Sequence, residues 1–555
     1  MDNPLDALRT VHAYHEATKH HYQRYARSLG YLDWATQPHP FRYYEGTERI
    51  ELPLKREPLP HGYDQLFVPD GVPPSPLNLD AVADFFRDSL ALTAWKQSGS
   101  SRWALRVNPS SGNLHPTEAY ALLDSLGSED HDPALYHYVS ETHSLERRAT
   151  FSRHLGDTLM HGAPPGSFVV GLSSVVWREA WKYGERAFRY CQHDVGHALA
   201  ALRFSAVLRG WTLKLVPTWS ADDVAALLGL DRQQEFVAEE SEEPELLAVV
   251  LPNDQNRDAA AQLLPPNAET LRQLRASAWH GQPNRISPDH VDWSLLDQVA
   301  SATRMPRGVV WDSRSREAPS HPAWPALRSN AEAHRIIHQR RSCLALNGQS
   351  TLPRDVFLRM LARTLPGAHP PWDAIYWPTT IHLALFVHRV DGLAPGLYML
   401  VRDSSKTGLL RAAMRETFAW STPPGVPVDF PLYLLQAADC RESARVLSCH
   451  QDIAADGCFS LGMIAEFDEP LRHYGPWFYR NLYWEAGTVG QILYLEAEAA
   501  AARATGIGCY FDDPVHAVLG LADSQFQSLY HFTLGIPLED HRLQTSPPYG
   551  HMERC

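Results

Sequence analysis

The chain has 555 residues, a formal net charge of −14, and 44% hydrophobic and 10% aromatic residues; that length predicts two to four domains with sizeable cores. The acidic balance argues against nucleic acid or an anionic membrane as a partner, and no run of about 20 apolar residues predicts a bilayer span. Met1 leads into Asp2-Asn3-Pro4 with no basic-then-apolar segment, so no secretory leader is expected, and seven scattered cysteines without a C-x-x-C pair read as reduced thiols of a cytoplasmic protein with no metal site.

In chain order, LNLDAVADFF (Leu77 to Phe86) comes first, a stretch that lies over the later LPRDVFLRML. PSSGN (Pro109 to Asn113) follows, offering two hydroxyls, a side-chain amide and close backbone approach, all suited to holding a polar ligand edge. FVVGLSSVV (Phe168 to Val176) and ELLAVVLP (Glu245 to Pro252) are short and rich in β-branched residues, hence strands. From about Asn253 to Asn330, LLPPN, GQPN, ISPDH and EAPSHPAWP read as a linker over the surface with short helices. HQRRSC then sets Arg340, Arg341 and Ser342 together, just before a helix predicted from about Leu352. Two guanidiniums and a hydroxyl at a chain turn suit phosphate oxygens, although a solvated basic turn has the same composition. HLALFVHRV (His382 to Val390) and PLYLLQAAD (Pro431 to Asp439) are further strands, and QILYLEAEAAAARA after Gly487 predicts a long helix stopped by Gly506.

These elements fall into two copies of one α+β unit. Lys182 to Gly196 lies over His473 to Gly487 at a constant spacing, matching Tyr183-Gly184 with Tyr474-Gly475, Arg189 with Arg480, Asp194 with Glu485 and Gly196 with Gly487. The same spacing brings Leu228-Gly229-Leu230 onto Leu519-Gly520-Leu521. Upstream, LYHY (Leu135 to Tyr138) matches LYML (Leu397 to Leu400), which sets His115-Pro116-Thr117 over Trp377-Pro378-Thr379 and PSSGN over PWDAI (Pro371 to Ile375). The second copy thus loses the small polar turn. Aligning Leu77 to Phe86 on the helix near Leu352 puts Gln65, Leu66 and Phe67 opposite Arg340 to Ser342, so the first copy lacks the cations.

PSSGNLHPTEAY, KYGERAFRY, RRS, GLYML, TGIGCYFDD and LGIPLEDHR together resemble the nitroreductase superfamily. More closely the chain is similar to the SagB-type dehydrogenases, flavoproteins that oxidise azolines in peptide maturation, and Thr18 to Gly46 resembles their N-terminal region. The resemblance implies two nitroreductase-like domains, 1–255 and 330–555, around a linker at 256–329, forming an intrachain pseudo-dimer that needs no second chain. It implies FMN held between them, with Arg340, Arg341 and Ser342 on the phosphate and ribityl chain and Arg542 as a second phosphate contact. Gly506 and Gly508 would approach the flavin by their backbone, and Pro109, Ser110, Ser111 and Asn113 would face its ring. Leu344 stands where the family often has another basic residue. One flavin per chain is expected, the reciprocal site having lost both halves of its chemistry.

Lys182-Tyr183 matches a pair implicated in proton removal in azoline dehydrogenases, and a desolvated lysine can act as such a base. A structural reading stays open, because Tyr183 repeats as Tyr474 while Lys182 becomes His473. HDVGH spaces His193 and His197 as helical zinc sites do, but lacks the glutamate and changes to Trp484 and Thr488 in the repeat, so no metal is expected. His12, His15, His20 and His21 are expected to be solvated. The expected activity is dehydrogenation of a small or peptide-derived heterocycle. An NAD(P)H-dependent nitro- or quinone-type reductase and a non-catalytic flavin-binding partner in a maturation complex are the alternatives.

Overall fold

Phe168–Val175 and Phe459–Glu466 are buried at every residue, as strands must be when covered on both faces. Each occupies the middle of an antiparallel sheet in the computed structural model, which describes residues 4–54, 60–124, 132–252, 263–311, 329 and 331–552. In the first sheet the order is Ser144–Thr150, Ala134–Val139, Thr117–Leu123, Phe168–Val175, Glu242–Leu251, Thr212–Leu215. The second repeats it as Leu432–Ala437, Gly396–Leu400, Ile381–Val387, Phe459–Glu466, Phe526–Gly535, Arg503–Ile507. All four strands expected from the sequence are present.

Register corrects one alignment. Thr117 stands opposite Ser174, and the residue opposite Ala465, the counterpart of Ser174, is Ile381 rather than Thr379. The match of His137 to Met399 holds, since these pair with Tyr120 and Ala384. The strand between the turn and the hairpin is therefore two residues out of step with the sequence alignment, while a 3-10 turn precedes it in both halves, at Ser111–Asn113 and Trp372–Ala374.

Between the sheets lie two long helices, Ala187–Val207 and Phe478–Ala499, buried almost all round, as befits central helices. They cross where Gly196 meets Gly487: a Cβ on Gly196 would collide with the carbonyl of Trp484, and one on Gly487 with that of His193. Only glycine permits this approach, which explains why the pair is repeated. The Leu-Gly-Leu motif has its own physical basis: Gly229 (φ 75°) and Gly520 (φ 83°) are left-handed caps ending Ala221–Leu228 and Asp512–Leu519.

Charges on such helices must be partnered. Arg189 donates to Asp512 (2.9 Å), Arg480 to Glu245 (2.8 Å) and Arg203 to Asp373 (2.7 Å), each pair joining one half to the other. Glu485 takes Arg402 (2.5 Å), and Glu496 takes Arg359 (2.9 Å).

Other expectations need correcting. The second long helix starts at Phe478 and ends at Ala499; Gly506 does not stop it but lies in the strand Arg503–Ile507. The linker is partly built into the first half, with helices Ala268–Ala276 and Ser294–Ala302 and a strand, Ala278–Trp279, paired on Thr150 and Ala149; EAPSHPAWP lies outside the described residues. His15 and His20 are buried, not solvated: His15 bonds Tyr479 and Gln527 (both 3.2 Å), and His20 accepts the Ala26 amide (2.9 Å). Two cysteines are not scattered, since the sulfurs of Cys449 and Cys509 touch at 2.7 Å. Near the other end of the chain, Gln544–Ser546 pairs with Leu92–Ser98 in the first half. Among the described residues no helix is long and apolar enough to cross a membrane.

Candidate functional site

Helix Ala333–Gln339 delivers Arg340 and Arg341 at its end. It is pinned to the first half by His334 and His338, which both reach Asp88 Oδ1, at 2.8 and 2.9 Å, while Arg209 holds the other oxygen. Arg340 is buried, donates to the Arg106 carbonyl (2.9 Å) and lies 5.0 Å over the Tyr494 ring; its Nε has no partner. Arg341 donates to the Thr93 hydroxyl and carbonyl (both 3.0 Å). Ser342 Oγ meets Tyr494 Oη at 2.8 Å, and the same phenol oxygen accepts the Gly506 amide at 2.9 Å. One tyrosine thus ties the clamp to the strand Arg503–Ile507.

Lys96 and Arg503 join the two arginines at this end of the site. Burial lowers the pKa of Arg341 to about 10, with Arg340 and Arg503 adding to the effect. Lys96 is lowered too, by burial and then by Arg341 and Arg503. Cations that crowd one another this way gain from an anion among them.

Opposite stands the Pro109–Asn113 turn. Ser110 Oγ accepts the His115 amide (2.8 Å), and Gly112 (φ 63°) and Asn113 (φ 56°) have left-handed backbones. A Cβ on Gly112 would come within 2.7 Å of Tyr183 Oη and 3.0 Å of Lys182 Nζ, so both side chains sit directly behind the turn. Burial, the Glu179 carboxylate and Tyr190 raise the Tyr183 phenol well above its ordinary pKa, which keeps it protonated.

Between turn and clamp lies a cavity of about 320 Å³, within the size range of small-molecule pockets. Pro109, Ser110, Ser111, Asn113, Arg340, Arg341, Ser342, Gly506 and Gly508 all line it, although they come from segments far apart in the chain. Gly506 packs on Tyr530 and Gly508 on Tyr190 so closely that neither admits a Cβ. Lys182 and Tyr183 lie one layer behind. Arg542 is not brought in: it is exposed and pairs bidentately with Asp540 (2.9 and 2.7 Å).

Lys96, Arg503, Tyr494 and Asp194 also line the cavity and were not singled out as site residues in the sequence. Arg503 carried a signal, standing three residues before Gly506; Lys96 carried none. His197 lines the cavity, bonded to Tyr530 Oη (3.2 Å) and Gln491 (3.3 Å), and His193 stacks on Tyr530. Among the described residues, the three-residue groups near enough to share an ion are Asp88 with His334 and His338, and Glu16 with His21 and Asp513.

Residues at the positions that correspond by the repeat meet partners of their own. Arg203, which occupies the position of Tyr494, grips Asp373 with two bonds (2.9 and 2.7 Å), and Lys214 donates to the Asp373 carbonyl (2.5 Å). Leu66 and Phe67 are buried, with Arg363 lying 4.2 Å over the Phe67 ring. A cavity lined by Arg203 and Thr212 measures about 10 Å³.

No protein-family model and no curated protein matches this chain. Among solved structures, a protein of Anabaena variabilis assigned as a nitroreductase superposes with a TM-score of 0.67 at 22% identity, over 95% of this chain and 99% of that one. Partial likenesses include a Ralstonia eutropha protein assigned in the same way (15% identity, 40% of this chain and 89% of that one, TM-score 0.27). Another is the E. coli microcin synthetase McbBCD complex with truncated pro-MccB17 bound (18% identity, 45% and 94%, TM-score 0.27). The fold is nitroreductase-like.

Proposed function

With a nitroreductase-like fold as the premise, we propose that the chain is an FMN-dependent oxidoreductase. Its halves, 1–255 and 330–555 joined by 256–329, act as an intrachain pseudo-dimer with one flavin site, so no second chain is needed to complete it. The observation that carries this is the cavity itself, which sets the small polar turn of the first half against the cations of the second.

The residues present fit such a group. The unpartnered Arg340 Nε and the mutually repelling Arg341, Arg503 and Lys96 suit a phosphate, and the turn offers Ser110, Ser111 and Asn113 to a polar ring edge. Arg340, Arg341 and Ser342 would hold the phosphate end, with Arg503 and Lys96 in place of the exposed Arg542. When bound, the flavin supplies the two-electron acceptor that no side chain provides.

The reaction we assign is dehydrogenation of a peptide-derived or small azoline-like heterocycle by a cytoplasmic protein. Lys182 supports it. Its terminal nitrogen lies behind Gly112, over the Tyr183 ring at 5.2 Å, where as the neutral amine it would take a proton arriving through the turn. Tyr183, held as a phenol, donates rather than accepts.

Purified protein is expected to release FMN rather than FAD on denaturation and to oxidise a synthetic thiazoline peptide. Lys182→Ala should retain the flavin and lose turnover by roughly 10²–10⁴-fold. Flavin reduction by NAD(P)H with undiminished rate in that variant, and no thiazoline oxidation by the native chain, would make it a reductase instead. Flavin binding with neither activity would leave the non-catalytic partner.

A further inference from the structure

Asp194 breaks the pattern of the buried helices. It lines the cavity at 2% exposure, yet among the described residues it makes no ion pair. Its Oδ1 accepts a long bond from the Ser111 amide (3.4 Å), the Ser110 hydroxyl lies close enough to contribute a weak contact, and its Oδ2 is buried without a geometric hydrogen bond. Glu179 is similar: fully buried, touched by Ser110 Oγ at 3.5 Å, with Oε2 unpartnered. The Ser110 hydroxyl is near both carboxyls. Glu179 and Lys182 lie three residues apart on the helix Val176–Tyr183, hence on one face.

Most other buried carboxylates among the described residues take arginines, and Glu466 takes Lys406. Glu485, at the position of Asp194 in the second half, accepts from Arg402 (2.5 Å), the Thr380 amide (3.0 Å) and the Thr380 hydroxyl (2.8 Å). Two carboxylates without cations in direct contact cannot both stay ionised in a dry site.

We infer that Glu179 and Asp194 hold one proton between them and serve as the acid–base store beneath the Ser110–Ser111 turn, receiving the proton that substrate oxidation releases. This rests on the oxidoreductase reading. Removing two electrons and two protons from a substrate as a hydride and a proton leaves one proton for the protein to take, and the flavin of that reading, when bound, would supply the two-electron acceptor. The second proton moves to the ionised carboxylate of the pair, directly through Asp194 or by way of the Lys182 amine. The pair, then doubly protonated, returns one proton to water.

The surroundings agree. Burial raises both carboxyls above the usual range, and Asp194 raises Glu179 further, against the pull of Lys182 and Ser110. Ser110, Ser111 and then Arg106 pull Asp194 the other way, short of restoring it. Arg106 points its bonds elsewhere, to the carbonyls of Thr117 and Pro40. Tyr183, Cys191 and Tyr530 are the other titratable groups that feel the pair, and all three are raised by burial first and by the pair's charge among the lesser causes.

Infrared difference spectroscopy of the native chain against the Glu179→Gln/Asp194→Asn double variant tests this, with flavin content recorded for each by absorbance. A protonated-carboxyl stretch, shifted in D2O, is expected in the native chain at pH 7 and absent from the variant. In Asp194→Asn alone the remaining Glu179 carboxyl should titrate at lower pH, because its like-charged neighbour is gone. Thiazoline oxidation should fall roughly 10²–10⁴-fold in the double variant, and its acidic pH limb should disappear. A native spectrum without that band, or a flavin-loaded double variant with an unchanged pH profile, overturns the inference. A native chain that binds no flavin but retains the band refutes the oxidoreductase reading and leaves the shared proton standing. Should the double variant fail to fold, the native band and its pH titration decide alone.

Discussion

The two half-sites occupy equivalent places in the fold and differ in what their polar groups meet. In one, Arg340, Arg341, Arg503 and Lys96 crowd a cavity of about 320 Å³ with an unpartnered guanidine nitrogen among them. In the other, Arg203 and Asp373 satisfy each other, and a cavity that Arg203 lines measures about 10 Å³. The carboxylates differ in the same sense, since Glu485 is locked to Arg402 while Asp194 is left with a weak amide contact. Position in a repeat therefore does not decide function; the completeness of local pairing does. Close ion pairing suits a structural role, and a charged group left without it suits the binding and proton-exchange roles proposed above.

The comparison breaks most sharply at the cations. Arg340→Ala/Arg341→Ala removes charge-assisted bonds worth roughly 1.5–3 kcal/mol each, so FMN affinity should fall about 10²–10⁴-fold, read by fluorescence titration; full flavin retention would refute the clamp. Next comes the paired carboxylate. Glu485→Gln strips the buried Arg402 of its counter-charge and should destabilise the fold by about 3–5 kcal/mol in denaturant melts, while leaving the protonated-carboxyl band of Glu179 and Asp194 in place.

The unpaired carboxylates should behave oppositely. Their folded pKa values lie above the unfolded ones, so the folded chain keeps a proton that the unfolded chain releases. Stability is then lost as pH rises above the ordinary carboxylate range, by up to about 1.4 kcal/mol per pH unit for one proton. The double amide variant should flatten that slope; parallel slopes would place both carboxyls in the ionised state. The smallest effect is expected from Tyr494→Phe, which deletes the oxygen shared by Ser342 and Gly506. It should weaken flavin binding by about 1 kcal/mol and leave folding little changed.

The recurring strand order, its central strands and nine of the residues that line the cavity were legible because each left a local mark: a turn composition, a basic pair, a glycine. What could not be read depended on distant partners. Gly506 reads as a helix stop, yet Tyr530 packing against it in a strand is what requires a glycine there. His15 and His20 lie in a polar, histidine-rich run, and only Tyr479, Gln527 and Ala26 closing over them reveal that they are buried. Asp194 differs from Glu485 by one methylene in sequence; that one lacks an arginine is a fact of tertiary structure alone. Arg542 erred in the other direction, since a neighbouring Asp540 captures it locally.

The pairing of Gln544–Ser546 on the hairpin strand Leu92–Ser98 bears on how the chain is made. Trp95 receives its indole partner, the Pro548 carbonyl, from a residue 453 positions later, and the Leu92 amide waits equally long for the Tyr549 hydroxyl (3.1 Å). At typical synthesis speeds that interval is roughly 20–90 s. Throughout it the hairpin presents an uncovered β edge, the kind of surface that invites wrong pairing. The pairing of Leu92–Ser98 with Gln544–Ser546 forms only after the second half has been translated, so excised first-half fragments should be prone to associate through that edge.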